Sequence, residues 1–85
     1  VPELELKGSR FWLGNSEVIL AAIEYHLLRF LWDNKGDLVF KDAILNEIWN
    51  GVGGDHLIQS NMQRLRKKLP LDTIQTRYGL GYILD

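Results

Sequence analysis

The sequence predicts an α+β domain of 85 residues: a small N-terminal antiparallel sheet, then three helices, then a C-terminal β-hairpin. Three observations predict it. Short β-rich runs broken by turn residues fill the first 20 positions. The apolar spacing then changes to the helical period and keeps it through three segments, and the chain closes on two β-rich runs joined around Gly79-Leu80.

In order, "ELEL", "RFWL" and "EVIL" are separated by "KGS" and "GNS", turn chemistry that predicts a three-stranded meander. Ile23, Leu27, Leu28, Phe30 and Leu31 recur at helical spacing and predict a first helix over residues 22–33. "DNKGD" ends it, with Gly36 as a left-handed stop, and "LVF" is short and extended. A second helix covers residues 41–49 with Ile44, Leu45, Ile48 and Trp49 inward, and "NGVGGD" breaks it because three glycines in six residues cannot sustain a helix. Asp55 is the expected N-cap of a third helix, about residues 56–69, which Pro70 stops. In "TIQTRYGLGYIL", Gly79 at the first central position predicts a type II′ hairpin over about residues 73–84. A helical trio whose last helix feeds a β-hairpin is the layout of a winged helix-turn-helix, with the hairpin as the wing.

Composition bounds the function. At 46% hydrophobic and 25% charged, the chain is an ordinary globular domain near the lower size limit for an unstapled core. With no cysteine, disulfide frameworks and thiolate metal sites are excluded, which favours a reducing compartment such as a bacterial cytoplasm. No apolar run approaches the ~20 residues of a membrane span, and no signal-peptide pattern opens the chain. Val1 is not a natural start residue, so a fragment of a longer protein is expected. The net charge of −1 argues against a polyanion partner, but its distribution argues for one. Residues 1–55 carry nine acids and five bases, whereas residues 56–85 carry two acids and five bases. Four of those five bases, Arg64, Arg66, Lys67 and Lys68, fall within five positions.

The third helix explains that concentration. At 100° per residue, Ile58, Met62, Leu65 and Leu69 fall within a sector of about 60° that must pack on the other helices. Ser60, Gln63, Arg64 and Lys67 point the opposite way, flanked by Gln59 and Arg66 on one side and Asn61 and Lys68 on the other. Between Leu57 and Leu69 there is no acid. A solvated helix would mix Glu with Lys at i,i+4 spacing. Arg instead forks onto guanine, Gln and Asn onto adenine, and carboxylates are repelled by phosphate. Such a face is placed for a polyanion, and with the winged layout it points to double-stranded DNA.

Three stretches carry a family resemblance. "LAAIEYHLL" is similar to L-T-x-x-E-x-x-L-L, "LVFKDAILNEIW" to V-V-S-R-x-x-L-x-x-x-V-W, and "MQRLRKKL … IQTRYGLGYIL" to I-x-R-L-R-K-K-L … I-x-T-V-R-G-x-G-Y-x-L. From about Leu4 to Leu84 the chain thereby resembles the OmpR/PhoB-type winged-helix effector domain of bacterial transcription regulators. The resemblance implies a four-stranded N-terminal sheet, a third helix in the major groove of double-stranded DNA and a wing at the neighbouring minor groove. It also implies groove-facing, base-reading roles for Gln59, Ser60, Gln63 and Arg64 and phosphate contact by Asn61, Arg66, Thr76 and Tyr82, and on that reading Lys67, Lys68 and the wing residue Arg77 are expected to add phosphate contact. RNA polymerase contact through the loop Asn50 to His56 follows from it too. Tandem or dimeric binding is expected, because one such module buries limited surface. Three positions depart from the family pattern. Ala21 stands for the Thr that caps the first helix, Phe40 for the Ser that caps the second, and Tyr78 for the wing Arg, which arrives one residue early as Arg77.

Other chemistry is less well supported. His26 and His56 are the only histidines and lack metal-ligand spacing, Ser60 has no evident base, and the "GLG" around Leu80 opens no helix that would make it a phosphate loop. Neither catalysis nor a cofactor is expected. Trp12 and Trp32 read as core or near-core residues, and Trp49 as a packing residue with an indole N–H to phosphate as its alternative role. The alternative is a winged helix used as a protein–protein module, its basic helix facing an acidic partner. Two settings fit the leading reading, both cytoplasmic: a receiver domain upstream, or a membrane-anchored regulator.

Overall fold

Turn chemistry shapes the N-terminal sheet of the computed structural model, which describes residues 3–85. Strands β1 (Leu4–Lys7), β2 (Arg10–Leu13) and β3 (Ser16–Glu17) form an antiparallel sheet in that order. Gly8 and Ser9 both take positive φ (59° and 63°) between the paired Lys7 and Arg10, as a type I′ turn requires. Gly14, with φ 62°, opens the two-residue turn between Leu13 and Ser16 as in type II′. The third strand is shorter than "EVIL" predicts. Its ladder ends at Glu17 opposite Trp12, with one further bond from the Val18 N–H to the Phe11 carbonyl, yet Val18 and Leu20 still pack on the core while Ile19 stays exposed. Three strands, not four, make up this sheet among the described residues.

Helices α1 (Ala22–Asp33) and α2 (Lys41–Trp49) have the bounds the spacing predicts. Neither N-cap residue, Ala21 or Phe40, supplies a side-chain hydrogen bond. In α1 the loss is offset by Glu24, which accepts the Ala21 N–H at 2.9 Å, half of a capping box. Gly36 is left-handed (φ 89°) but lies beyond the cap residue Asn34, and its N–H ties back to the Leu84 carbonyl.

Helix α3 (Asp55–Lys67) departs from expectation at both ends. Gly54 is its N-cap and Asp55 its first helical residue, because the Asp55 carboxylate is taken by Lys41 at 2.8 Å. Lys68 closes the helix, and the buried Leu69 lies just outside it. Leu27, Leu28, Leu31, Ile44, Ile58, Met62 and Leu65 form the buried centre of the trio. Phe11 seals it from the sheet side, meeting Trp32 and Tyr25 edge-on.

The wing is a three-stranded sheet, β4-β6-β5, where a two-stranded hairpin is predicted. β4 (Val39–Phe40) pairs with β6 (Gly81–Leu84), which pairs with β5 (Ile74–Arg77). A Cβ on Gly81 would sit 2.0 Å from the Val39 carbonyl oxygen, so only glycine permits this pairing. The turn also differs from type II′. Arg77 pairs with Gly81, the Leu80 N–H reaches the Arg77 carbonyl, and the left-handed residue, Gly79 (φ 79°), is the second central one. That is the position type II reserves for glycine.

Candidate nucleic-acid interface

The amphipathic division of α3 is the one the sequence predicts. Ile58, Met62 and Leu65 are at most 1% exposed, while Gln59, Ser60, Gln63, Arg64, Lys67 and Lys68 all face solvent. Asn61 and Arg66 are half-buried on the flanks.

Between α3 and the wing runs an open groove of about 580 Å³. Gln59, Gln63, Arg66 and Lys67 border it from the helix, and Thr76, Arg77, Tyr78 and Tyr82 from the wing. Lys41 and Asp55 also line it. Four cations therefore face one carboxylate, and that carboxylate is committed to Lys41. Its hydrogen bond raises the Lys41 pKa, so the ammonium stays charged beside the groove.

Several predicted contact residues are already engaged within the protein. Arg66 Nη2 donates to the Ile74 carbonyl at 3.0 Å and to Thr76 Oγ1 at 2.5 Å, and its guanidinium lies 5.6 Å from the Tyr82 ring centroid. Asn61 Nδ2 donates one of its two N–H groups to the Leu57 carbonyl of its own helix, which leaves the second N–H as a donor and the side-chain oxygen as an acceptor. Tyr82 is 7% exposed, and burial raises its phenol pKa. Lys68 Nζ lies 2.6 Å from Oε1 of the buried Glu24, turned toward α1 and away from the groove. Gln59, Ser60, Gln63, Arg64, Lys67 and Arg77 make no side-chain hydrogen bond among the described residues and remain available to a ligand. Tyr78, 92% exposed, is the first residue after β5, so the alternation of strand faces does not separate it from Arg77, and both border the groove.

Two residues of this region escape the sequence reading. Glu24 carries a capping-box signal, an acid three positions after the residue preceding the helix. Lys41 carries a fainter one, a cation in a helix's first turn where the dipole disfavours it. Both signals ask for a partner, and the fold supplies Lys68 and Asp55. Among the described residues there is no cluster of His, Asp or Glu able to hold a metal, and no helix long and apolar enough to cross a membrane.

Residues 15–84 match the family model described as "Transcriptional regulatory protein, C terminal". The chain belongs to this family. Its members of OmpR/PhoB type share the architecture seen here, and they are regulatory domains, not catalytic ones. Over 76 residues the chain is 36% identical to the KDP operon transcriptional regulatory protein KdpE of Escherichia coli, covering 81% of this chain and 34% of that protein. It spans about a third of the length of the first curated relatives it matches. The DNA-binding domain of Bacillus subtilis CssR superposes with a TM-score of 0.83 at 25% identity, covering 98% of this chain and all of that one. The Klebsiella pneumoniae RstA DNA-binding domain, solved in complex with the RstA box, gives 0.81 at 26% identity, covering 95% and 89%.

Proposed function

We propose that this domain binds double-stranded DNA sequence-specifically as the effector module of a bacterial transcription regulator. In this reading α3 enters the major groove and the wing lies on the adjacent backbone or minor groove. The observation that carries it is the α3 face itself, an exposed, acid-free surface of Gln, Ser, Arg and Lys next to a groove dominated by cations. Family membership and the DNA-bound relative support it. Arg64, Gln59, Ser60 and Gln63 read bases. Lys67 and Arg77 contact phosphate, with Asn61, Thr76 and Tyr82 as uncharged backbone neighbours. Lys68 is assigned to Glu24 and serves the fold.

Three finer points belong to the same proposal. Two copies bind in tandem on adjacent half-sites, since one module covers little surface. The loop from Asn50 to His56, with Val52 71% exposed, is the polymerase-facing element. The domain works in the cytoplasm, where the DNA is.

Fluorescence anisotropy on labelled duplexes tests the reading. Log affinity should fall linearly with log salt, by about 0.9 per phosphate contacted, and a duplex enriched from a random library should bind tighter than a random one. Binding without salt dependence or sequence preference would count against it and favour a protein partner for the basic face.

A further inference from the structure

Arg66 occupies an unusual place for one of four clustered cations. Its guanidinium bonds to Ile74 and Thr76 of β5 and lies over Tyr82 of β6, while its backbone belongs to α3. Thr76 and Tyr82 are register partners, so a single side chain grips one rung of the wing across both strands. Among the described residues no other side-chain hydrogen bond joins α3 to the wing.

The chemistry of the pair fixes a direction. Guanidinium has only donors, so its contact with Thr76 must consume a lone pair of the hydroxyl oxygen. The Thr76 proton is left to be donated elsewhere, and no acceptor for it is found among the described residues. Both residues border the groove between helix and wing. A hydroxyl held as a donor there, with Arg77 next to it, is suited to an anionic oxygen.

We infer that Arg66 is a positioning residue, which locks the wing to α3 and presents the Thr76 hydroxyl as a donor to a phosphate oxygen of DNA, and is not itself a phosphate anchor. This rests on the DNA reading above. Its consequence is that helix and wing reach DNA as one rigid unit. Both bonds leave from one nitrogen, Nη2, which the planar guanidinium holds in place by lying over the Tyr82 ring; lysine at position 66 would keep the charge but has no planar group to rest there.

A double-mutant cycle on the folded domain tests this, read by anisotropy on a labelled random-sequence duplex at several salt concentrations, with melting temperatures as the folding control. Arg66→Lys and Thr76→Val should each weaken binding about fivefold, the scale of one hydrogen bond, and the double variant should be no weaker than either single. Thr76→Ser, which keeps the hydroxyl, should bind as the unaltered domain does. Arg66→Gln should lower affinity with the salt slope unchanged. The inference is overturned if the two single losses multiply, if Arg66→Lys binds normally, or if Arg66→Gln lowers the slope by about one unit, as loss of a phosphate contact does. Should Arg66→Lys fail to fold, Thr76→Val against Thr76→Ser decides: equal binding by both overturns the inference, and a loss confined to Val supports it. Absence of salt-dependent binding by the unaltered domain is a separate outcome, which removes the DNA reading itself.

Discussion

Lys68 Nζ lies 2.6 Å from Glu24 Oε1, and the same oxygen accepts the Ala21 N–H at 2.9 Å. One carboxylate thereby joins the end of α3 to the start of α1 and supplies one half of a capping box, the half that an alanine N-cap does not need to make. The Lys68 ammonium foremost, then the Ala21 N–H and more weakly the Arg64 charge, hold the Glu24 carboxyl below its ordinary value of 4.5 against the opposing effect of burial. A carboxyl depressed in the folded state stabilises fully above its unfolded pKa, and that contribution is lost as pH falls through the folded one.

Two consequences can be measured in melting experiments. Lys68→Gln leaves a buried carboxylate without its cation and should cost about 1–3 kcal/mol at neutral pH, with little change in DNA affinity. The stability advantage of the unaltered domain over Glu24→Gln should be full at neutral pH and shrink below about pH 4.5. An advantage that grows on acidification would contradict the depressed pKa.

Arg64 stands on the exposed side of α3, opposite the Ile58, Met62 and Leu65 stripe. Arg64→Ala should cost about 1–3 kcal/mol on the preferred site and flatten the preference at one base pair. Equal losses on preferred and random duplexes would make Arg64 a phosphate contact instead.

The core can be tested without DNA. Leu65 is fully buried in the middle of α3, and Leu65→Ala should destabilise the fold by about 2–5 kcal/mol. An unchanged melting temperature would mean that the division of α3 into faces is wrong.

Gly81 gives a sharper case. Gly81→Ala places a methyl 2.0 Å from the Val39 carbonyl oxygen and 2.9 Å from Phe40 Cα, both backbone atoms that cannot move aside. A loss above about 4 kcal/mol is expected, separating β4 from β6 and leaving the wing without its third strand. Normal melting and an intact amide-exchange pattern at Val39 would show that the pairing tolerates a shift.

What the sequence makes legible here is what depends on local spacing. The apolar periods locate α1 and α2 to the residue, and the stripe on α3 identifies which side chains are exposed. What it leaves hidden depends on partners distant in the chain. Val39 and Phe40 look like an isolated extended pair until β6 lies beside them. Asp55 has the chemistry of a cap, but Lys41, 14 residues earlier, claims it. Lys68 shares the helix's charge cluster, and only the packing of α1 on α3 reveals the carboxylate it answers. The Gly79 turn is misjudged because "GL" allows a two-residue loop; pairing Arg77 with Gly81 makes it three. Counting charges along a helix identifies the surface, while the roles of Arg66 and Lys68 come from their tertiary partners.

The wing tip bears the last prediction. Arg is favoured in a narrow, electronegative minor groove, and the family's wing Arg is replaced here by Tyr78, with Arg77 one residue before it. Arg77 is the last residue of β5 and its backbone is fixed by pairing with Gly81, whereas Tyr78 begins the turn and is 92% exposed. Both side chains are exposed, and the one that stands in the turn is the one without a charge. Arg77, held in the ladder and bordering the groove beside Lys67, is better placed for backbone phosphate than for insertion between strands. Arg77→Ala should accordingly lower affinity modestly on every duplex and reduce the salt slope by about one unit, with A·T-rich flanks losing no more than others. Tyr78→Ala should leave the slope unchanged. If Arg77→Ala instead weakens sites with A·T-rich flanks selectively, the guanidinium enters the minor groove, and the wing reads sequence along with α3.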